Sequence, residues 1–126
     1  MSAPPFYGEA DFGPILRGVA VPTLHLTTTE DVIRVPGYHS PPADRLRVFE
    51  ATGSSLKVLA VFAGGSHSVF MDRRGTGPAA LQIRAATREL STTFLRRVFD
   101  EGAGSEAGLA GWGAAHPGTL ASYRMQ

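Results

Sequence analysis

The strongest constraint on the fold is the run at residues 57–63, Lys57-Val58-Leu59-Ala60-Val61-Phe62-Ala63. It is apolar throughout after Lys57, so polar and apolar side chains do not alternate. A strand that is apolar on both faces belongs in a sheet covered on both sides, usually a parallel sheet of an α/β protein. Residues 19–27, rich in β-branched side chains, predict an earlier strand. Residues 43–51 between them predict a helix, and parallel strands need such a crossover. We therefore predict an α/β fold with two parallel strands and a crossover helix.

Two helices are expected to cover this sheet. In the crossover helix at residues 43–51, Leu46 and Phe49 should face inward, while Arg45 should face water. Pro78 stands where a longer helix should begin, and that helix should run to about Phe99. Apolar residues recur along it at spacings of three and four, as in an amphipathic helix that packs on a sheet. They are Ile83, Ala86, Leu90, Phe94 and Val98.

The chain of 126 residues divides into three segments around one small core. Residues 1–18 are Pro/Gly-rich and are expected to be irregular, apart from a short helix or turn through Leu16. Residues 19–100 form the predicted α/β core. Residues 101–126 are a Gly/Ala-rich tail, expected to be loosely structured, with a short helix from Pro117 and with Trp112 packed loosely on the surface.

Composition narrows the classes of function. A net charge of +1 gives no reason to expect a nucleic acid or an anionic membrane as partner. The absence of Cys excludes disulfides, thiol catalysis and cysteine metal sites. No apolar run approaches the ~20 residues that span a bilayer. The N-terminus lacks the pattern of a signal peptide, so the expected location is cytoplasmic by default.

A chemically versatile side chain follows each of the two predicted strands. Asp31 comes after the first strand, and His67 comes after Gly64-Gly65 at the end of the second, 36 residues later. The carboxyl ends of neighbouring parallel strands meet at one sheet edge, where active sites form. His is a suitable proton acceptor near neutral pH, and an Asp can hold the imidazole in the required tautomer. Acid followed by base is the chain order of some serine hydrolases.

These residues occur in a longer pattern that resembles a known family. The segments are Val21-Pro22-Thr23-Leu24 through Thr29-Glu30-Asp31, then Val58-Leu59-Ala60-Val61-Phe62 through Gly64-Gly65-Ser66-His67-Ser68-Val69-Phe70, then the helix ending Phe94-Leu95. The pattern resembles the C-terminal part of an α/β-hydrolase of the esterase and dienelactone-hydrolase-like branch. The resemblance implies that Asp31 is the triad acid, that His67 is the triad base and that the last helix covers the sheet. It implies no cofactor, and a small-molecule ester or lactone as substrate of the complete protein.

The nucleophile of that family is missing from this sequence. No G-x-S-x-G occurs, and the nearest match, Gly64-Gly65-Ser66-His67-Ser68, lacks the final Gly. The same motif supplies one N–H of the oxyanion hole. We therefore expect a C-terminal fragment that contributes an acid and a base of a serine hydrolase. The alternative is a non-catalytic fragment or interaction module that self-associates through an exposed sheet edge.

Other residues compete for the same roles. Glu30 is the nearest rival acid, whereas Asp72 follows the base and so breaks the family's order. A metal site built from His25, Asp31 and His67 has no ligand spacing to favour it.

The sequence also contains a weak candidate for a phosphate site, and three further histidines. Gly75-Thr76-Gly77-Pro78 weakly echoes a dinucleotide fingerprint, but it does not directly follow a strand. His25 is expected to be partly buried within the first strand. His39 and His116 are expected to be exposed.

Overall fold

The computed structural model describes residues 11–71, 77–100 and 103–126, with helices and strands distributed along all three ranges. The predicted phosphate segment lies largely outside the described residues. The helices are α1 (Gly13–Arg17), α2 (Ala43–Ala51), α3 (Pro78–Phe99) and α4 (Ala103–Gly111), with 3₁₀ turns at His67–Phe70 and Trp112–Ala115. The strands are β1 (Thr23–Glu30), β2 (Ile33–Val35), β3 (Tyr38–Ser40), β4 (Lys57–Ser66) and β5 (Leu120–Met125).

The central sheet is mixed, with strand order β1-β4-β5. β1 and β4 pair in parallel from Thr23↔Lys57 to Glu30↔Ser66, and α2 lies in the connection between them. This confirms the mixed α/β content and the parallel pair. The side chains of β4 from Lys57 to Phe62 are all buried, as the unbroken apolar run predicted.

The boundaries of the first strand were predicted wrongly. β1 begins at Thr23 and continues through Glu30, whereas the predicted strand covered residues 19–27. The connection from β1 to α2 contains the hairpin β2–β3, which pairs in antiparallel fashion. The polar run Thr27-Thr28-Thr29 extends the strand because β-branched residues suit it, and because the buried hydroxyls of Thr27 and Thr28 find hydrogen-bond partners.

The C-terminal segment is more ordered than its composition indicates. The predicted loose tail contains α4, and the short helix predicted from Pro117 is wrong, because β5 follows instead and pairs antiparallel with β4. The amide of Lys57 donates to the Gln126 carbonyl at 2.8 Å, and the Gln126 amide returns a bond at 2.9 Å. β5 thereby satisfies the backbone groups on one side of β4, which a two-stranded sheet would leave open.

The larger core lies between the sheet and the helices α3 and α4. The predicted stripe of α3 is confirmed: Ile83, Ala86, Leu90 and Phe94 are buried, and Val98 packs against them. Trp112 is only 4% exposed, so the expectation that it packs loosely on the surface was wrong. Leu109 of α4 and Trp112 of the following turn are both buried in this core.

The opposite face of the sheet packs against α2, where Phe49 contacts Leu59 and Val61. The predicted orientation of this helix was wrong at two positions: Arg45 is 3% exposed and Leu46 is 38% exposed. The physical reason is an ion pair that rotates Arg45 inward, as described below. None of the helices among the described residues is long and apolar enough to span a membrane.

Candidate active site

The two residues singled out in the sequence lie side by side at the carboxyl edge of the sheet. The register pairs Glu30 with Ser66, the residues immediately before Asp31 and His67. Because β1 and β4 run parallel, their next residues emerge at the same edge. Nδ1 of His67 lies 2.8 Å from Oδ1 of Asp31, within hydrogen-bond distance.

Asp31 is fully buried, and both of its carboxylate oxygens are bonded. Oδ2 accepts a hydrogen bond from Oγ1 of Thr27 at 2.7 Å. Oδ1 faces His67 and also accepts from Nη2 of Arg45 at 3.3 Å. A carboxylate removed from water is tolerated only when partners replace its hydration, and these three groups do so. They also restrict the carboxylate to one orientation.

A glycine turn places His67 over the strand edge. Gly64 and Gly65 have φ angles of 71° and 82°, in the left-handed region that favours glycine. The Gly64 amide donates to Oγ1 of Thr29 at 2.8 Å, and Oγ1 of Thr28 donates to the Gly65 carbonyl. Two hydroxyls of β1 therefore anchor the turn of β4 to the strand that supplies the acid.

The geometry defines which imidazole nitrogen is available for chemistry. With Asp31 ionised, its oxygens can only accept, so Nδ1 of His67, which faces them, would donate its hydrogen and Nε2 would keep a lone pair. Within the described ranges, no hydrogen-bond partner occupies Nε2. The His67 side chain is 27% exposed, so the pair combines a buried acid with a solvent-accessible base. This is the arrangement in which an imidazole can take a proton from a hydroxyl.

The competing residues lie elsewhere. Glu30 is exposed at the end of β1, and no hydrogen bond joins it to His67 in the part of the chain described. Asp72 lies outside the described residues. No group of three or more His, Asp or Glu side chains with the geometry to hold a metal ion occurs among residues 11–71, 77–100 and 103–126.

His25 belongs to the packing of the sheet. Its Nε2 lies 3.1 Å from Oγ1 of Thr23, and its ring packs edge-on against Phe49 at 5.3 Å. Burial and, secondarily, the positive charge of Lys57 lower the pKa of His25 to about 4, so its ring is neutral at pH 7.

The remaining predicted histidines differ from each other. His39 is exposed on β3, as expected. The expectation that His116 is exposed was wrong, because its ring stacks on Trp112 at 4.0 Å and its side chain is 20% exposed.

The sequence alone did not reveal three residues that surround the acid: Thr27, Ser40 and Arg45. Thr27 precedes Asp31 by four residues, and its hydroxyl could have been proposed as a partner for a buried carboxylate. Nothing in the sequence indicated that Arg45 contacts the acid, because helical periodicity placed it on the outer face of α2. The need of a buried carboxylate for a cation was the one physical reason to search for it.

The chain was compared with known proteins. It matches no family model, and neither the curated proteins nor the solved structures give a significant match.

Proposed function

We propose that Asp31 and His67 are the acid and the base of a serine hydrolase that acts on carboxylic esters or lactones. The observation that supports the proposal is the 2.8 Å contact between a fully buried carboxylate and an imidazole whose other nitrogen meets no hydrogen-bond partner in the described part of the chain. The order of the two residues in the chain and their places after adjacent parallel strands agree with an α/β-hydrolase fold.

The reaction would use Nε2 of His67 as a proton carrier. As a serine oxygen attacks the substrate carbonyl carbon, its proton passes to Nε2, and the positive imidazolium is stabilised by Asp31. Nε2 then gives that proton to the departing alcohol oxygen, which leaves an acyl-serine. Water then attacks the acyl carbon and gives a proton to Nε2. Nε2 returns this proton to the departing serine oxygen, so that the carboxylic acid is released and the free serine is regenerated.

The proposal assigns the nucleophile to another segment. The sequence contains no G-x-S-x-G, and the hydroxyls nearest to His67 in the chain, those of Ser66 and Ser68, lie 2.9 Å from each other. The missing segment would also supply the oxyanion hole, whose donors each contribute about 10²–10³ in rate. The chain therefore corresponds to the C-terminal part of such an enzyme, with the acid and base but not the nucleophile.

The coding DNA upstream of the Met1 codon tests this assignment. We expect the reading frame to continue without a stop and to encode a strand, a G-x-S-x-G turn and a helix in that order. A stop codon before any such motif would contradict the assignment of the nucleophile to the same polypeptide.

A second candidate function is self-association through β1. In strand order β1-β4-β5, β4 is covered on both sides, whereas no strand among the described residues pairs with the outer side of β1. An unpaired strand edge presents backbone donors and acceptors to other chains. In the unchanged protein, sedimentation velocity should then show a fraction of dimer that rises with protein concentration. A monomer at every concentration would exclude this candidate.

A further inference from the structure

Arg45 is the least expected residue near the candidate site. It lies in the first turn of α2, and its side chain is 3% exposed. A buried guanidinium is costly unless its charge and its N–H groups are compensated. Here the compensation is incomplete, because Nε of Arg45 is buried and has no hydrogen-bond partner within the described ranges. A buried polar group that is only partly satisfied calls for an explanation beyond packing.

The rest of the guanidinium is directed at the acid. Nη2 donates to Oδ1 of Asp31 at 3.3 Å, the same oxygen that faces His67. Nη1 donates to Oγ of Ser40, which is fully buried at the end of β3. Ser40 in turn donates to Oδ2 of Asp44 at 2.7 Å. The hairpin and the start of α2 therefore hold the guanidinium in place against the carboxylate.

This contact affects which nitrogen of His67 carries the hydrogen. A neighbouring cation favours the ionised form of a carboxyl group, and an ionised carboxylate accepts hydrogen bonds but cannot donate them. The nitrogen of His67 that faces Asp31 must then be the protonated one. Arg45 can thus influence which nitrogen of His67 is protonated, because both residues contact the same oxygen, Oδ1 of Asp31.

We infer that Arg45 is a positioning residue for the Asp31–His67 pair: it keeps the carboxylate ionised and fixed, and so holds His67 in the tautomer with Nε2 free. This inference rests on the proposed function for its catalytic meaning. The geometric effect on His67 can be measured on this chain alone.

Nitrogen-15 NMR of the imidazole in neutral to mildly alkaline buffer distinguishes the two tautomers directly. In the unchanged protein, the Nδ1–H form of His67 should dominate. In Arg45→Met, which keeps the length of the side chain but removes its charge, that form should cease to be dominant. Arg45→Lys should restore it in part, because an ammonium supplies the charge without the planar pair of donors.

The matched control is Arg47→Met. Arg47 lies on the same helix, is exposed, and pairs with Asp44 at 3.6 Å rather than with Asp31. This variant should leave the His67 signals unchanged. An unchanged Nδ1–H signal in a folded Arg45→Met protein would overturn the inference.

Asp31→Asn separates the two hypotheses. If it alters the His67 tautomer while Arg45→Met does not, the positioning role fails and the acid–base pair stands. If neither variant alters it, the acid–base pair itself fails. Should Arg45→Met lose its native circular dichroism, Ser40→Ala decides the matter. It removes the acceptor of Nη1 and the bond to Asp44 but leaves the contact of Nη2 with Asp31. It should reduce the Nδ1–H form measurably, whereas no change would count against Arg45.

Discussion

The protein contains two histidine–carboxylate pairs of opposite design. In the first, Asp31 is fully buried and lies 2.8 Å from His67, whose Nε2 has no hydrogen-bond partner among the described residues. In the second, Glu89 is 58% exposed and lies 3.3 Å from Nε2 of His116. Nδ1 of His116 also lies 2.9 Å from the Trp112 carbonyl, so both of its ring nitrogens are engaged.

The difference is that proximity of an acid and a histidine is not sufficient for the acid–base role proposed for Asp31 and His67. His116 joins the turn at Trp112 to helix α3, since Glu89 also accepts a bond from Nε1 of Trp112 at 3.2 Å. No nitrogen of His116 is left to accept a proton from a substrate. In the pair at the strand ends, the buried hydrogen bonds are instead made by the carboxylate. One nitrogen of the imidazole has no partner among the described residues.

The largest expected effect is that of Asp31→Ala on stability. The change would leave Arg45 buried without its counter-ion, and breaking a buried pair in this way costs about 3–5 kcal/mol. Urea unfolding followed by circular dichroism measures the loss. The control is Glu30→Ala. Glu30 is the exposed neighbour of Asp31, and its loss should change stability by no more than about 0.5 kcal/mol.

A double variant sharpens that prediction. Asp31→Ala combined with Arg45→Met removes both charges, and it should be more stable than Asp31→Ala alone. Equal stability of the single and double variants would mean that the ion pair contributes nothing to the buried site.

Acid should destabilise the protein through His25, which has no carboxylate partner within residues 11–71, 77–100 and 103–126. Its folded pKa of about 4 lies below the ordinary value of 6.5, so the unfolded chain binds the proton first as the pH falls. The contribution to stability is full above pH 6.5 and is lost between pH 6.5 and 4. It amounts to no more than about 3 kcal/mol.

Unfolding free energies measured across this pH range test the effect. His25→Gln should flatten the curve between pH 6.5 and 4. The exposed His39→Gln should not. A curve as steep in His25→Gln as in the unchanged protein would assign the pH dependence to another group.

The turn before His67 should tolerate a side chain poorly. Gly65→Ala forces a left-handed backbone on an L-residue, at a cost of about 1–2 kcal/mol, and its Cβ would lie 3.1 Å from Cδ1 of Ile83. Thermal unfolding measures the loss. Gly77→Ala is the control: its φ of −65° suits alanine and nothing crowds it, so stability should be unchanged or slightly higher.

The smallest expected effect lies in the second pair. Glu89→Ala removes an exposed ion pair and a hydrogen bond to Trp112, which together should cost about 1 kcal/mol or less. Urea unfolding provides the comparison with Asp31→Ala. Similar losses in the two variants would remove the distinction between a buried and an exposed acid on which the comparison depends.

Local sequence patterns predicted those parts of the fold that local patterns determine. The apolar run of β4 and the spacing along α3 report burial directly. α3 formed where expected, and β4 began at Lys57 as expected but continues past the predicted end at residue 63 to Ser66. Residues Leu120–Met125 have no comparable signal, since they become a strand by pairing with β4, which is distant in sequence. Trp112 was misjudged for the same reason: its burial depends on packing against α3 and β5.

The residues of the candidate site also differ in whether local sequence patterns could reveal them. Asp31 and His67 could be selected because each follows a strand, and the parallel arrangement brings those ends together. Arg45 could not, because its inward direction is set by a contact with Asp31, 14 residues earlier in the chain, across a hairpin. Helix periodicity describes the average environment of a face and does not register one ion pair.

The most direct test of the acid–base assignment is fluorophosphonate labelling of the full reading frame that contains this chain. The reagent reacts with a serine whose hydroxyl an adjacent histidine activates. We predict one labelled serine upstream of Met1, labelling that His67→Ala abolishes, and labelling that Glu30→Gln leaves intact. An absence of labelling, or labelling that persists in His67→Ala, would contradict the proposed role of the Asp31–His67 pair.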